Sequence, residues 1–296
     1  MLDQKGLQLR AAFFRAIRNF FQDQGFLEVD TPIRQPLVIP EQNILHVPSG
    51  SHFLQSSPEL YMKRLLAAGS EQIFQICRCF RYGERGRLHL EEFVMLEWYR
   101  LDADYTDLMA DCEKLFCFLE AEIAECNFPV SLNKPWRRIT VAQAFEQYCA
   151  MSVEQALEQD RFDLLLVEKI EPHLGSNRPA FLYDYPLELA SLARPKENQP
   201  GNAERFELYM AGIELANGFS ELTDSVLLRS RFEEEYLKMK DCPEKTHKIP
   251  ELFLQELETI DSAAGIALGL DRLFMLLSGQ NNLDAVVTFS PDDLDI

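Results

Sequence analysis

Apolar residues recur at Leu9, Phe13, Ile17 and Phe20, spaced three or four apart, and Gly25 then offers a C-terminal stop, which predicts one amphipathic helix over residues 7–24. A short strand over 26–29 runs into Thr31-Pro32. Only six residues precede the helix, so no separate N-terminal domain is expected. From residue 72 the apolar pattern shortens to a strand-like one, giving strands over 72–81 and 92–99 joined by a loop rich in Gly and Arg. Helical spacing returns at Leu108, Cys112, Leu115, Leu119 and Ile123, and residues from 105 to about 175 read as a helical insertion. Strand signals resume over 180–185, 206–219 and 265–270, and 271–277 closes the chain's pattern as a helix. No repeat, low-complexity segment or composition break interrupts the run. The expectation is a single α+β domain over 1–296, an antiparallel sheet flanked by helices with one helical insertion.

Within 92–99 the period of two places Phe93, Met95, Glu97 and Tyr99 on one face and Val94, Leu96 and Trp98 on the other. Both faces read as covered, and a carboxylate flanked by Met and aromatics favours a pocket; the alternative is a solvated Glu97 on an outer face. The segment 206–219 reads as a hairpin turning at Ala211-Gly212. Pairing Met210 with Ile213 sets Tyr209 opposite Glu214 and Glu207 opposite Ala216, which makes Glu207 and Glu214 diagonal neighbours about 7–8 Å apart at the backbone. Two unneutralised carboxylates there call for a cation, and Mg²⁺ suits oxygen ligands; the alternative is two exposed glutamates on an edge hairpin. Asn217, Phe219 and Glu221 follow at i, i+2, i+4. Convergence of Glu59, Glu97, Glu214 and Glu221 would suit a small cationic ligand, because a buried carboxylate needs a positive partner.

The charge balance narrows the partners. With Lys+Arg 29 against Asp+Glu 48, the net charge of −19 repels polyanions, so nucleic-acid binding would need a local basic patch. The densest basic run is Arg78, Arg81, Arg85 and Arg87 with His89, and Arg272 opens the last helix. Arginines so placed suit bidentate phosphate binding, the alternative being a solvated charge run. There is no Gly-x-x-x-x-Gly-Lys and no Gly-x-Gly-x-x-Gly, so phosphate would be held by side chains and metal. Seven scattered cysteines, only Cys77 and Cys79 close together, read as free thiols. Without a long apolar run or a signal-peptide pattern, the expectation is a cytoplasmic protein with no membrane association.

Phe80-Arg81, the following loop and the stretch from Glu92-Phe93 to Tyr99 resemble the second signature motif of class II aminoacyl-tRNA synthetases, and the residues from Gly265 to Leu273 resemble the third. The first helix and the strand ending at Pro32 are similar to the first motif, which in the family builds a homodimer interface. Ser57-Pro58-Glu59, Met95-Leu96-Glu97-Trp98-Tyr99 and the stretch from Glu214 to Asp224 match the lysine-specific branch. Within it, the chain resembles truncated paralogues that attach (R)-β-lysine to a lysine of translation elongation factor P. No anticodon-binding barrel is expected before the first motif, and Ala267 stands where lysine synthetases carry glycine.

The resemblance implies an AMP-forming, ATP-dependent ligase that uses Mg²⁺. Arg81 would hold the ATP α-phosphate and the amino-acid carboxylate, and Phe93 would stack on adenine with Arg272 on its other face. Both arginines are the implied catalytic residues. Gly269 would admit the nucleotide, Glu84 and His89 would contact it from the loop, and Glu214 with Leu215 would border it. Glu207 and Glu214 would hold the metal. Ser57, Pro58, Glu59, Glu97, Tyr99, Asn217, Phe219, Glu221 and Ala267 would form the lysine pocket. Two departures stand out: Arg81-Tyr82-Gly83-Glu84 replaces Arg-x-Glu, and Leu90-Glu91 replaces Asn-Pro. Two other readings stay open, activation of α-lysine for a tRNA or carrier protein, and a non-catalytic regulator.

Overall fold

A computed structural model describes residues 1–41, 43–125, 127–238 and 248–294. Helix α1 spans Gln4–Asp23, three residues earlier than the apolar pattern indicates, because the Asp3 side chain accepts a hydrogen bond from the Gly6 amide and caps the helix. At its other end Gly25 adopts φ +82°, as a left-handed stop requires. The strands are β1 (Leu27–Glu28), β2 (Arg34–Gln35), β3 (Pro48–Ser49), β4 (His52–Leu54), β5 (Gln72–Phe80), β6 (Glu92–Leu101), β7 (Arg137–Thr140), β8 (Ala180–Pro186), β9 (Pro195–Lys196), β10 (Gln199–Met210), β11 (Ile213–Ser220) and β12 (Ala263–Gly269). The other α-helices are α2 (Glu59–Ala67), α3 (Tyr105–Glu122), α4 (Val141–Tyr148), α5 (Val153–Glu158), α6 (Phe162–Leu165), α7 (Ser225–Lys238), α8 (Glu251–Leu257) and α9 (Leu270–Leu277).

Nine strands form one sheet in the order β1-β5-β6-β12-β11-β10-β8-β7, with β9 on β10; β2, β4 and β3 form a small second sheet. The large sheet is mixed, not antiparallel as expected. Strand β1 pairs with β5, and β7 with β8, in parallel. Each of these pairs is joined through helices, the crossover that parallel strands need, and neither leaves a hairpin signal in sequence.

The sheet is covered on both sides. Helices α1, α3 and α9 bury Phe13, Phe21, Leu108, Leu115 and Leu273 against Leu96, Trp98 and Ile266 on one face. Helices α2, α7 and α8 bury Leu60, Phe232 and Phe253 with Ile73 and Tyr99 on the other. Phe145, Phe162, Leu182 and Tyr185 form a further cluster beneath α4–α6. The expected insertion over 105–175 is therefore divided. Helix α3 belongs to the main core, and β7 extends the sheet, so only the segment from α4 onward stands apart as helical structure. Five cysteines, Cys77, Cys79, Cys112, Cys117 and Cys149, are free; Cys126 and Cys242 lie outside the described residues.

One buried ion pair links three of these elements. Asp271 in the first turn of α9 accepts from Arg10 of α1 at 2.5 Å and from the Val94 amide of β6 at 2.7 Å. Arg10 also donates to the Val286 carbonyl and packs over the rings of Phe14 and Phe274. Removing one partner of such a pair leaves an uncompensated buried charge. Arg10→Met is expected to cost about 3–5 kcal/mol in urea unfolding, and Arg10→Met/Asp271→Asn to cost less than the single change.

Candidate active site

The cleft is built from residues that the sheet register lays side by side. Tyr99 of β6 lies opposite Gly265 of β12, which lies opposite Phe219 of β11. One step along, Glu97, Ala267, Asn217 and Glu207 form a row across β6, β12, β11 and β10. Met95 pairs with Gly269 in the next row. The alternation expected for β6 holds, since Phe93, Met95, Glu97 and Tyr99 line the cleft while Val94, Leu96 and Trp98 join the core on the far side, Val94 also touching the cleft. The cleft measures about 570 Å³.

Its acidic end is buried. Glu97 is 1% exposed and accepts from the Ser57 hydroxyl at 2.6 Å and the Tyr99 hydroxyl at 2.7 Å. Burial pushes its carboxyl up to about 8, with Glu59 adding to the rise and Ser57, Tyr99 and Lys63 opposing it. Ser57 also accepts from the Glu59 amide and so braces the start of α2, whose N-terminal flank is Pro58. Ser57 and Glu59 line the cleft, as do Asn217, Phe219 and Ala267; Pro58 and Glu221 do not. Glu221 lies behind, ion-paired to Lys63 at 2.5 Å, and Lys63 is equally close to Glu59.

The basic end faces it from the loop after β5 and from α9. Arg81, Arg85, His89 and Arg272 line the cleft, whereas Arg78 pairs with Glu92 on the surface and Arg87 donates to the Asn281 carbonyl. Arg81 lies over the Phe93 ring at 5.2 Å, 3.9 Å from Glu84, and its buried Nε has no hydrogen-bond partner. Arg272 donates to the carbonyls of Leu88 and Glu214 and to His89 Nε2 at 2.8 Å. Burial and the two arginines hold the imidazole below its usual range, so His89 is the neutral acceptor of that bond. Glu84, Leu215 and Gly269 complete this end. The two departures from the motif brace the loop internally: Leu90 is buried, and the Glu91 carboxylate accepts from the Gly83 amide at 2.6 Å.

The hairpin turns at Ala211-Gly212 as expected, both residues having positive φ, but a bulge at Leu208/Tyr209 shifts the pairing so that Glu207 lies opposite Asn217 instead of Ala216. Nor are the two carboxylates unneutralised. Glu207 accepts from Arg205 at 2.8 Å and from the Tyr209 hydroxyl at 2.7 Å, while Arg272 sits 3.3 Å from Glu214. Glu214 faces the cleft and Glu207 does not. Among the described residues no three His, Cys, Asp or Glu side chains form a metal-holding group.

A family model described as class II tRNA synthetases (D, K and N) matches residues 3–293. The chain belongs to this family. Its class II fold is the mixed nine-stranded sheet described above, and ATP use is the family's chemistry. Relatives named elongation factor P–(R)-β-lysine ligase come from Edwardsiella ictaluri, 39% identical over 96% of this chain and 94% of the relative, and from Pectobacterium carotovorum subsp. carotovorum, 40% identical over 95% and 93%. A third, from Klebsiella pneumoniae subsp. pneumoniae, is 36% identical over 96% and 94%.

Three cleft-shaping residues escaped sequence reasoning. Glu41, whose carboxyl burial raises to about 7, sits in a loop without any pattern. Lys63 carried a usable signal, its i, i+4 spacing from Glu59 on a helix. Gly265 is the third, and a glycine inside a strand was the cue. A Cβ there would lie 2.2 Å from the Tyr99 ring and 2.6 Å from Glu221 Oε1. Gly265→Ala is expected to displace Tyr99 and raise the amino-acid KM in ATP–pyrophosphate exchange at least tenfold while leaving the ATP KM within about twofold, at an overpacking cost of about 1–3 kcal/mol in thermal unfolding.

Proposed function

We propose that this class II synthetase-like enzyme activates (R)-β-lysine with ATP and transfers it to a lysine side chain of elongation factor P. The observation that carries the reading is one cleft with buried carboxylates at one end and, at the other, an arginine with a loose 3.9 Å contact to Glu84 and an unused buried Nε, laid along a single face of the sheet. Such a site suits an amino acid whose ammonium groups meet Glu97, Glu59 and Tyr99 while its carboxylate reaches Arg81 beside a nucleotide. Asn217, Phe219 and Ala267 form the floor between them, with Glu221 behind it.

The amino-acid carboxylate attacks the α-phosphorus, pyrophosphate leaves, and an aminoacyl adenylate remains; the acceptor amine then attacks the carbonyl and releases AMP. Nothing in the first step needs a nucleophile from the protein, so catalysis rests on positioning and charge neutralisation by Arg81 and Arg272. Phe93 would carry adenine on its ring, with Glu84, His89, Leu215 and Gly269 around the nucleotide. Mg²⁺ would neutralise charge on the triphosphate. Glu214, which faces the cleft, would hold it together with phosphate oxygens, and Glu207 would join only by exchanging Arg205 for the ion.

The acceptor follows from the relatives' names, and a net charge of −19 disfavours tRNA. Among the described residues no helix is long and apolar enough to cross a membrane. A cytoplasmic homodimer formed through α1 and β1, with residues 1–296 acting as one catalytic unit, completes the proposal.

ATP–pyrophosphate exchange should favour (R)-β-lysine over α-lysine, Arg81→Ala should abolish it, and elongation factor P should gain the mass of one lysyl group. Exchange with neither amino acid would refute the reading. The methyl of Ala267 lies between Glu97 and Asn217, so Ala267→Gly should move preference toward α-lysine by a factor of about 5–100.

The raised carboxyl of Glu97 sets a pH dependence with a definite sign. Below about 8 the free site holds a proton there that ammonium binding must expel. Affinity for the amino acid should therefore rise from pH 6.5 to about 8 and then level, and Glu97→Gln should bind more weakly with that rise lost.

A further inference from the structure

Lys63 is the one lysine of the described residues that is sealed beside the cleft, 2% exposed, with its ammonium 2.5 Å from both Glu59 Oε1 and Glu221 Oε2 and 5.2 Å from the Phe219 ring centroid. Burial of a lysine is costly unless it is paired, and here two carboxylates from separate elements outweigh that cost and leave its ammonium held above the ordinary lysine range. The groups facing it are Glu59 from its own helix, Glu221 from the chain just beyond β11, and Glu97 with Tyr99 from β6. Glu41 stands beyond Glu59, where Arg81 and Arg205 oppose its charge.

We infer that Lys63 is a positioning residue that leaves the amino-acid end, in its substrate-bound state, with two negatives, the complement of a substrate carrying two ammonium groups. Three carboxylates, Glu59, Glu97 and Glu221, converge on this end, and the single internal ammonium offsets one of them. Left alone, three neighbouring carboxylates, two of them buried, favour taking up a proton, and a neutral carboxyl holds an ammonium far more weakly than a carboxylate does. Burial already raises the Glu221 carboxyl, and Lys63 is the strongest influence pulling it back down. The lysine therefore opposes protonation of Glu221 and holds both carboxyl groups at one spot, with Glu59 turned to the cleft. A substrate with one ammonium would leave a buried negative charge unmatched, which disfavours it. This inference rests on the reading that the cleft takes a lysine.

Calorimetric binding of (R)-β-lysine to the full-length protein tests it, at pH 7.0 and 8.5, with ATP binding and thermal unfolding followed alongside. Lys63→Met should weaken binding at least tenfold at both pH 7.0 and pH 8.5, because removing the ammonium lifts the Glu221 carboxyl further above about 8 and leaves it protonated at both. Lys63→Arg should stay within about threefold of wild type, and ATP affinity should not change. Lys63→Met/Glu59→Gln, which returns the site to two negative charges, should recover part of the loss at pH 7.0 even if Lys63→Met alone does not fold. Unchanged binding in Lys63→Met, a Lys63→Arg variant as weak as Lys63→Met, or a double variant no better than Glu59→Gln alone would overturn the role of Lys63 and leave the functional reading standing. Wild-type protein that binds neither form of lysine would overturn both.

Discussion

The cleft depends on one carboxylate sealed away from water. Asp271 is 2% exposed, and its two oxygens are spent on Arg10 of α1 and on the amide of Val94 in β6. The residue before Val94 is Phe93, and the residue after Asp271 is Arg272. A single buried anion therefore sets the first turn of α9 against β6 and, with it, the distance between the ring and the guanidinium that form the basic end. A charge this deep tolerates few positions, since any shift that lost Arg10 or the amide would leave it unpaired in low dielectric. The position of Arg272 is then fixed a second time by its bonds to Leu88, Glu214 and His89, so three loops and strands converge on it.

Much of this was legible in the chain because a strand has only two faces. Once residues 92–99 were read as a strand, the alternation alone separated Phe93, Met95, Glu97 and Tyr99 from Val94, Leu96 and Trp98, and the same parity put Asn217 and Phe219 together on β11. What parity could not supply was which strand lies beside which. The order β6-β12-β11-β10 turns three separated pairs of residues into the row Glu97–Ala267–Asn217–Glu207, and only long-range pairing decides that order. The parallel edges were illegible for the same reason, because a crossover through helices carries no local turn signature.

The finer misreadings have local causes. A one-residue bulge between Leu208 and Tyr209 carries Glu207 to the partner of Asn217, and Arg205, two residues earlier on the same strand, reaches its carboxylate. Bulges leave little trace in sequence when the inserted residue is an ordinary apolar one. Arg205 also donates to the Asn217 side-chain oxygen at 3.3 Å, which turns the amide's donors toward the cleft and makes Asn217 suited to an acceptor such as a carboxylate. Lys63 was passed over because lysines are seldom buried, and its partner Glu221 is far away in sequence.

Taken together, the ion pairs sort the charged groups of the site into those the protein has already satisfied and those it has not. Glu207 has Arg205, Glu214 has Arg272, and Glu59 and Glu221 share Lys63. Glu97 accepts from two hydroxyls, and Arg81, lying over the Phe93 ring, has a 3.9 Å contact to Glu84 and one buried donor unused. A protein gains nothing in stability from leaving a buried carboxylate and a guanidinium short of counter-ions at opposite ends of one cleft. Such a pair makes physical sense as the two poles of a bound molecule, its positive group at Glu97 and its negative group at Arg81. The acidity of the whole chain is thus a different matter from the acidity of the site: the first is spread over solvated surface, whereas the second is offset only in part from within, and what is left over is the ligand's share.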